Sequence, residues 1–555
     1  MHFILITGTK DMKHYFFLIT LLFIGCERTD ISKQDIASAE KISGLSFSSS
    51  ERDSLLSNVI QRVGQYNSLR EIELQNDTPF PLFYDPLPIG ENPPRGRDQF
   101  KFNEVKTSLP DNLEACAFMT IPELAYLIRT RQVTSEALTR MYIERLKRYQ
   151  EQLQCVVTIT EELAIQQAKK ADIEIARGQY KGPLHGIPWG AKDLLSVPAY
   201  KTTWGATPFK DQRIEDKGTV VKKLEEAGAV LIAKLTLGAL AWGDVWFGGK
   251  TRNPWDTEQG ASGSSAGPGS ATSAGLVGFS IGSETWGSIV SPSTRNGVTG
   301  LRPSFGTVSR SGAMALSWTM DKLGPMTRSV EGAAIIFETI RGSDNLDRTV
   351  RDVPFIYPSK RGLRNLRIGY IASAFADSSV SKNDKASLEI IKSMGLNLIP
   401  IELPEFPTQA LSFVLQAEAA AAFDELTRSN KDDQLVRQVK SAWPNVFREA
   451  RFIPAVEYIN ANRARTLLNQ KMSELMEKID VYIIPSFYED NLLRTNLTGH
   501  PCVVVPNGFN EKGRPTSISF VGGLYSDGKT LAVAKAYQEA TKWHKQYPPE
   551  FNKLK

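Results

Sequence analysis

The chain has 555 residues, of which 41% are hydrophobic and 23% charged, and its mean hydropathy is −0.25. This composition excludes a collagen-like, a wholly disordered or a multi-span membrane protein. Lys and Arg number 66 against 61 Asp and Glu, a formal net charge of +5 with no long basic block, so no nucleic-acid-binding surface is indicated. Five histidines in the whole chain leave few candidates for histidine-based chemistry.

The first residues are typical of an export signal. Met12-Lys13 begins a short positive region, and the apolar run from Tyr15 to Gly25 follows. That run is about half of the ~20 residues needed to cross a bilayer, and its length fits the core of a cleaved signal. We therefore predict residues 1–25 as an export signal, with Met12 as a second candidate start.

The end of this run, Leu22-Phe23-Ile24-Gly25-Cys26, resembles the lipobox of bacterial lipoproteins, in which the cysteine is diacylated. The resemblance implies lipidation of Cys26 and an exported protein that is periplasmic or anchored to a bacterial membrane by its lipid. A plain cleaved signal and a membrane anchor are the alternatives.

Residues 26–112 are predicted to form a helical extension and then a proline-rich connector. Ser50 is the candidate N-cap of a helix with apolar residues at helical spacing: Leu55, Val59, Ile60 and Val63. Six prolines then exclude a regular element: Pro79, Pro81, Pro86, Pro88, Pro93 and Pro94.

From residue 113 to 548, short apolar runs alternate with amphipathic helices. Two helices are expected between residues 119 and 146. Strands are predicted at 229–235, 367–371, 396–401, 481–485 and 502–506. Helices are predicted at 220–227, 330–340, 385–394, 459–478 and 530–544. This alternation favours an α/β fold, and we assign residues 113–548 to one catalytic domain.

Three cysteines follow Cys26 in the chain: Cys116, Cys155 and Cys502. None forms a CxxC pair, so neither a zinc ribbon nor a redox motif is indicated. We expect free, buried thiols.

Residues 260–291 are rich in Gly and Ser, but they also contain enough apolar residues to pack inside the fold. A packed stretch of this kind is typical of a place where the backbone approaches a ligand closely and its N–H groups point outward. The nucleophile pattern Gly-x-Ser-x-Gly occurs there twice, around Ser265 and Ser280. An α/β-hydrolase would also need a downstream histidine, for which His500 is the candidate. The pair Ser280 and His500 therefore stays open as an alternative.

A lysine is the other base that can activate a serine, provided that burial lowers its pKa toward neutrality. Lys192 follows the apolar, Gly- and Pro-punctuated segment from Gly186 to Ala191, where burial is expected. Lys192 is therefore the candidate base.

These segments resemble the blocks of the amidase signature family. The first block is similar to Gly182-Pro183-Leu184-His185-Gly186-Ile187-Pro188 through Lys192-Asp193, and the Gly/Ser-rich block to Ser262-Gly263-Ser264-Ser265-Ala266-Gly267 through Gly287-Ser288-Ile289. Shorter blocks agree as well: Asn253-Pro254-Trp255, Gly300-Leu301-Arg302-Pro303-Ser304-Phe305-Gly306, Gly324-Pro325-Met326 and Thr498-Gly499-His500-Pro501. The resemblance spans roughly residues 119–543 and implies a large mixed β-sheet covered by helices on both faces.

The resemblance implies a Ser–cis-Ser–Lys triad. It assigns Ser288 as nucleophile, Ser264 as the bridging serine after a cis peptide bond, and Lys192 as base. It also assigns the backbone N–H groups of Thr285, Trp286, Gly287 and Ser288 to an oxyanion hole.

The chain departs from the family pattern beside these residues. Glu284 and Trp286 stand where the family commonly has Asp and a small residue, and Ser262 and Ala266 replace glycines. We interpret Glu284 as a hydrogen-bonding support of the loop, and Trp286 either as part of the acyl pocket or as a core residue. His185 is interpreted as structural.

The implied function is an amidase that hydrolyses a carboxamide of a small molecule or peptide through a serine acyl-enzyme, with no metal or organic cofactor. Three alternatives stay open beside it. They are a glutaminase-type amidotransferase subunit, a non-catalytic binding lipoprotein and the Ser-His α/β-hydrolase. The substrate and the oligomeric state are not determined by the sequence.

Overall fold

The computed structural model describes residues 31–78, 80, 82–102 and 104–553. The predicted signal and Cys26 lie outside these residues. The chain divides into two compact units, Met1–Glu73 and Leu74–Lys555. Within the described part, none of the helices combines the length and the apolarity that crossing a membrane requires.

The first unit contains the helices α1 (Lys33–Ser43) and α2 (Ser49–Arg70). The N-cap of α2 is Ser48, not the predicted Ser50. Ser48 forms a capping box, because its side chain accepts a hydrogen bond from the Glu51 N–H and the Glu51 carboxylate accepts one from the Ser48 N–H. Glu40 of α1 binds Arg52 of α2 through two hydrogen bonds of 2.8 Å, which ties the two helices together.

The larger unit is built on an eleven-stranded sheet. The strands of this unit, in chain order, are β1 (Val156–Ile159), β2 (Pro188–Lys192), β3 (Val230–Leu235), β4 (Val245–Trp246), β5 (Gly249–Lys250), β6 (Arg252–Asn253), β7 (Asp256–Gly260), β8 (Phe279–Glu284), β9 (Thr299–Arg302), β10 (Lys322–Thr327), β11 (Arg367–Ile371), β12 (Asn397–Ile401), β13 (Val481–Pro485), β14 (Cys502–Phe509) and β15 (Pro515–Gly522). The large sheet has the order β1-β3-β2-β8-β10-β9-β14-β15-β13-β11-β12, while β4–β5 and β6–β7 form two small ribbons. Parallel pairs (β2–β3, β2–β8, β11–β12, β11–β13) and antiparallel pairs both occur, so the sheet is mixed.

The α-helices of the larger unit are α3 (Ile121–Arg129), α4 (Ser135–Leu153), α5 (Glu161–Ala176), α6 (Thr219–Glu226), α7 (Ala266–Ser273), α8 (Val290–Asn296), α9 (Val330–Ile340), α10 (Ala372–Ala376), α11 (Lys382–Ser393), α12 (Phe413–Ala422), α13 (Asp424–Arg428), α14 (Trp443–Ala450), α15 (Ala455–Met476), α16 (Asn491–Leu497) and α17 (Asp527–Thr541). All five predicted strands and all five predicted helices are present, with shifts of a few residues at their ends.

Alternation along the strands places an apolar core on each face of the sheet. On β14, Val503 and Val505 belong to one buried cluster and Cys502 and Val504 to another. The same alternation occurs on β13. Because successive side chains of a strand point to opposite faces, the helices pack over both, and the predicted fold class is confirmed. Cys116, Cys155 and Cys502 are buried free thiols, as expected.

The connector from Leu74 onward belongs to the larger unit. Asn76 binds the backbone of Ala315 in both directions, at 2.8 and 3.0 Å. Tyr84 donates a hydrogen bond to the Leu497 carbonyl at 2.8 Å, and the Arg465 guanidinium lies 3.5 Å from its ring centroid. These side-chain contacts hold the described part of this segment, together with backbone hydrogen bonds that join Gln99 to Phe355 and Tyr357.

Candidate active site

Two adjacent parallel strands bring the predicted site together. β2 ends at Lys192, and β8, which pairs with β2 in parallel, ends at Glu284. Parallel neighbours end at the same edge of a sheet, so the loop after β8, which carries Ser288, begins beside Lys192.

Lys192 is fully buried among hydroxyl groups. Its Nζ lies 2.8 Å from Ser264 Oγ, 2.8 Å from Ser283 Oγ and 3.0 Å from Ser265 Oγ. No carboxylate of the described residues lies within ion-pair distance of Lys192. Burial lowers the pKa of Lys192 well below 10.5, although the more distant Asp321 and Glu284 carboxylates oppose the shift. A neutral amine that can accept a proton is therefore favoured.

Ser264 follows a cis Gly263–Ser264 peptide bond, as the resemblance implies. Ser262, two residues earlier, has a left-handed φ of 60°. Its N–H donates to Asp244 at 3.0 Å, and its hydroxyl binds Ser291 at 2.7 Å. These two bonds hold a serine in a conformation that favours glycine.

Ser288 lies in the loop between β8 and α8 and is partly exposed. Its carbonyl accepts a hydrogen bond from the Ser265 N–H at 3.1 Å, which joins this loop to the loop that carries Ser264. The structure thus brings Lys192, Ser264 and the Ser288 backbone together. It forms a side-chain hydrogen bond between Lys192 and Ser264, but none between the described Ser264 and Ser288.

The loop from Thr285 to Ser288 presents its backbone in the manner of an oxyanion hole. The N–H groups of Trp286, Gly287 and Ser288 have no acceptor among the described residues, which leaves them free for a ligand. Gly287 has φ of 85°, a conformation that glycine adopts without strain. Trp286 is 39% exposed, so it is not a core residue.

Glu284 fixes the end of this loop. Its Oε2 accepts hydrogen bonds from the N–H groups of Ile289 and Val290 at 2.8 and 2.9 Å, and its Oε1 accepts from Arg302 at 2.9 Å and Asn496 at 2.7 Å. Burial by itself would raise the pKa of Glu284, but the Arg302 guanidinium and the Val290 N–H lower it below 4.5. Glu284 is therefore an ionised support of the loop, as interpreted from the sequence.

Asp321 was missed by sequence reasoning. Its Oδ1 accepts a hydrogen bond from Thr285 Oγ1 at 2.5 Å, and its Oδ2 accepts from the N–H groups of Leu316 and Ser317 at 2.8 and 2.9 Å. The Asp321 carboxylate thus holds the Thr285 end of the loop from Thr285 to Ser288, whereas Glu284 holds its other end. The one signal in the sequence that could have identified Asp321 was its position three residues before the family-like block Gly324-Pro325-Met326.

The described histidines form no hydrogen bond with Lys192, Ser264 or Ser288. His185 is fully buried, accepts a hydrogen bond from the Lys181 N–H and lies 3.0 Å from Glu174, so it is structural, as interpreted. His500 Nδ1 binds Thr498 Oγ1 at 2.7 Å. Ser280 Oγ binds Thr272 and the Pro268 carbonyl. The structure does not bring Ser280 and His500 together as a catalytic pair.

Comparisons with known proteins identify the family of this chain. A model of the amidase family matches residues 137–493. The glutamyl-tRNA(Gln) amidotransferase A subunit of Synechococcus sp. (strain JA-3-3Ab) is 30% identical over 468 residues, which are 76% of this chain and 92% of the relative. The corresponding protein of Gloeobacter violaceus is 29% identical over 485 residues, which are 77% of this chain and 98% of the relative.

Solved structures show the same fold. Native peptide amidase from Stenotrophomonas maltophilia superposes with a TM-score of 0.69 at 26% identity, covering 79% of this chain and 100% of that one. A bacterial aryl acylamidase of the amidase signature family has a TM-score of 0.70 at 20% identity, covers 79% of this chain and 99% of that one, and shares the fold. The chain belongs to the amidase signature family. It is an amide-hydrolysing enzyme.

Proposed function

We propose that this enzyme hydrolyses a carboxamide to an acid and an amine or ammonia through an acyl-enzyme on Ser288. Neutral Lys192 accepts a proton from Ser264, and Ser264 accepts one from Ser288. Ser288 Oγ attacks the carbonyl carbon, and the carbonyl oxygen takes up the electron pair. The N–H groups of residues 285–288 stabilise the negative charge on that oxygen. Each such donor contributes a factor of about 10²–10³ to the rate.

The same relay then runs in reverse. Lys192 returns its proton to Ser264, Ser264 passes one to the amide nitrogen, and the C–N bond breaks. The amine leaves, and the acyl group stays on Ser288 as an ester. Water attacks this ester with the relay as base, which releases the acid and restores the Ser288 hydroxyl.

The observation that carries this proposal is the buried Lys192 hydrogen-bonded to Ser264 at 2.8 Å. A buried amine without a carboxylate partner gains little as a structural cation, but it suits a base that works near neutral pH.

The test is hydrolysis of a panel of aryl amides and amino-acid amides, with ammonia detection, by the wild type and Ser288→Ala. Ser280→Ala is the matched control, because Ser280 occupies the second Gly-x-Ser-x-Gly pattern. We expect Ser288→Ala to abolish turnover and Ser280→Ala to retain it. A fluorophosphonate probe is expected to label Ser288. Unchanged turnover in Ser288→Ala contradicts the mechanism, and a wild type that is neither active nor labelled supports a binding lipoprotein.

A glutaminase-type amidotransferase subunit is the second candidate, because the relatives described above are named as A subunits of a glutamyl-tRNA(Gln) amidotransferase. The two functions separate on the isolated chain. An independent amidase turns over simple carboxamides without partner proteins. An amidotransferase component prefers glutamine and gains activity when its partner proteins are added.

We further propose that the enzyme is exported and anchored by a lipid on Cys26, because the lipobox-like sequence Leu22–Cys26 follows an apolar run of signal length. Labelled palmitate is expected to be incorporated by the full chain and not by Cys26→Ala. Absence of label in the wild type contradicts lipidation, and the size of the mature chain then distinguishes a cleaved signal from a retained anchor.

A further inference from the structure

We infer that the side chain of Trp286 binds an aromatic group of the amide substrate and so determines specificity, an inference that rests on the proposed amidase function. Trp286 is 39% exposed and stands two residues before Ser288. Two residues of extended chain span at most roughly 7 Å, so the Cα atoms of Trp286 and Ser288 lie within that distance of each other. A substrate whose carbonyl group reaches Ser288 therefore comes within reach of the indole.

Solvent reaches the catalytic loop beside this indole. The structure describes all of residues 264–290, and among them Trp286 is the one exposed residue and Ser288 the one half-buried residue, while the others are buried. The two side chains through which this segment meets solvent are thus the proposed nucleophile and the indole. A substrate that approaches Ser288 from solvent therefore passes Trp286.

The backbone of Trp286 belongs to the proposed oxyanion hole, which fixes its distance to the substrate. Its N–H group has no acceptor among the described residues. A carbonyl oxygen bound there lies about 3 Å from the Trp286 nitrogen, and the side chain of Trp286 branches from the next atom of the same residue. Both substituents of the substrate's carbonyl group, the acyl chain and the amine, therefore start beside the Trp286 side chain.

The indole is held by a fixed backbone but has no ring partner of its own. Thr285 binds Asp321, and Glu284 binds two N–H groups that follow Ser288, so the loop is fixed on both sides of Trp286. Within the described part of the chain, the Trp286 ring forms neither a hydrogen bond nor a contact with another aromatic ring. A tryptophan has only two rotatable side-chain bonds, so ordering it on a ligand costs little conformational entropy.

The surroundings of the indole favour an uncharged, apolar group. Leu492 of α16 is half-buried and packs on the same loop, since a Cβ on Gly287 would lie 2.9 Å from its Cδ2. Residues 285–288 include no charged side chain, and Glu284 beside them is fully buried. An aromatic group gains a stacked or edge-to-face contact with an indole that an aliphatic group of similar size does not make. The substrate class is therefore carboxamides that carry an aromatic ring.

The test compares amides that differ only in the aromaticity of one ring. Phenylacetamide and cyclohexylacetamide have the ring on the acyl side, whereas N-benzylacetamide and N-(cyclohexylmethyl)acetamide have it on the amine side. The wild type is expected to prefer the aromatic member in at least one pair, and the pair that responds shows which side binds Trp286. Trp286→Leu keeps an apolar side chain without the ring and should lower that preference in kcat/KM about 2–12-fold, the contribution of one aromatic pair. Trp286→Phe should retain most of the preference.

Fluorophosphonates that carry a benzyl or a cyclohexylmethyl group extend the comparison to labelling rates at Ser288, which require no amide turnover. Phe452→Leu is the matched control, because Phe452 is an exposed aromatic residue outside the catalytic loop, and it should leave every ratio unchanged. Thermal unfolding verifies that each variant folds. Equal aromatic-to-cyclohexyl ratios in the wild type and Trp286→Leu, for both amide pairs and for the probes, overturn the role of Trp286 and leave the amidase function standing. A folded wild type that neither hydrolyses amides nor is labelled at Ser288 is the separate result that overturns the amidase function.

Discussion

Lys192 Nζ lies 2.8 Å from Ser264 Oγ at the end of β2, whereas Lys234 on the adjacent strand lies 2.7 Å from Asp193. Both lysines are fully buried. Lys192 binds three serine hydroxyls and no carboxylate of the described residues, whereas Lys234 binds the Asp193 carboxylate beside the Thr202 hydroxyl and the Lys201 carbonyl. We propose that the carboxylate makes Lys234 a structural cation and that its absence lets Lys192 act as a base, which the same substitution at both positions can test.

Lys192→Met is expected to lower kcat by about 10²–10⁴-fold, the contribution of a positioned general base, with a nearly unchanged melting temperature. Lys234→Met is expected to destabilise the protein by about 3–5 kcal/mol, because it leaves the Asp193 charge buried without its partner. Amide hydrolysis and thermal unfolding of both variants provide the measurement. Normal turnover by a folded Lys192→Met protein rules out the relay.

The pH dependence of kcat/KM is expected to have an acid limb that belongs to Lys192. The protonated amine cannot accept a proton, so activity rises with pH through the Lys192 pKa, which burial moves well below 10.5. Between that lowered pKa and 10.5 the unfolded state binds more protons, so the Lys192 contribution to the free energy of unfolding also rises with pH.

The profile is measured for the wild type and for a His500→Asn variant. Because burial lowers the pKa of His500 to about 3, the limb is expected to stay in place in the variant. A limb that moves when His500 is replaced argues against Lys192 as its origin.

Glu284→Gln is expected to lower kcat about tenfold or more with a smaller change in KM, because the carboxylate fixes the loop that carries the oxyanion N–H groups. The variant should also lose stability, since the buried Arg302 is left without its partner. The double variant Glu284→Gln/Arg302→Met removes that charge and should recover part of the stability but not kcat. Recovery of both would show that Glu284 acts on stability alone.

His500→Asn is expected to retain amidase activity within about threefold, since no proton transfer in the mechanism uses a histidine. The side chain of His500 binds Thr498, so the expected cost is in stability. Steady-state kinetics at matched pH, next to Ser288→Ala as the inactive reference, measures the effect. Abolished activity in a folded His500→Asn protein revives the Ser-His alternative.

Several elements could be predicted because local sequence determines them. The strands Arg367–Ile371 and Val481–Pro485 and the helix Val330–Ile340 were predicted with the observed bounds, since apolar runs and helical spacing are local signals. The strands β8 and β10 were not predicted. They contain Gly282 and Gly324-Pro325, residues that usually weaken strands.

Close packing explains why glycine stands at both positions. A Cβ on Gly324 would lie 2.0 Å from the Leu301 carbonyl oxygen, and one on Gly282 would lie 2.8 Å from Ser265 Oγ. The atoms that leave no room for a side chain at these two positions belong to other segments of the chain. No propensity of the local sequence reveals it.

The sequence by itself determined which residues we propose as carriers of the chemistry, since Lys192, Ser264 and Ser288 stand in recognisable blocks and histidine is scarce. Only the tertiary structure decided their state. Ser264 is 72 residues from Lys192 along the chain, and the environment that lowers the pKa of the amine is supplied by strands that meet only in the sheet. The same holds for Glu284, whose partners Arg302 and Asn496 come from distant segments, because burial and charge compensation are properties of the folded chain.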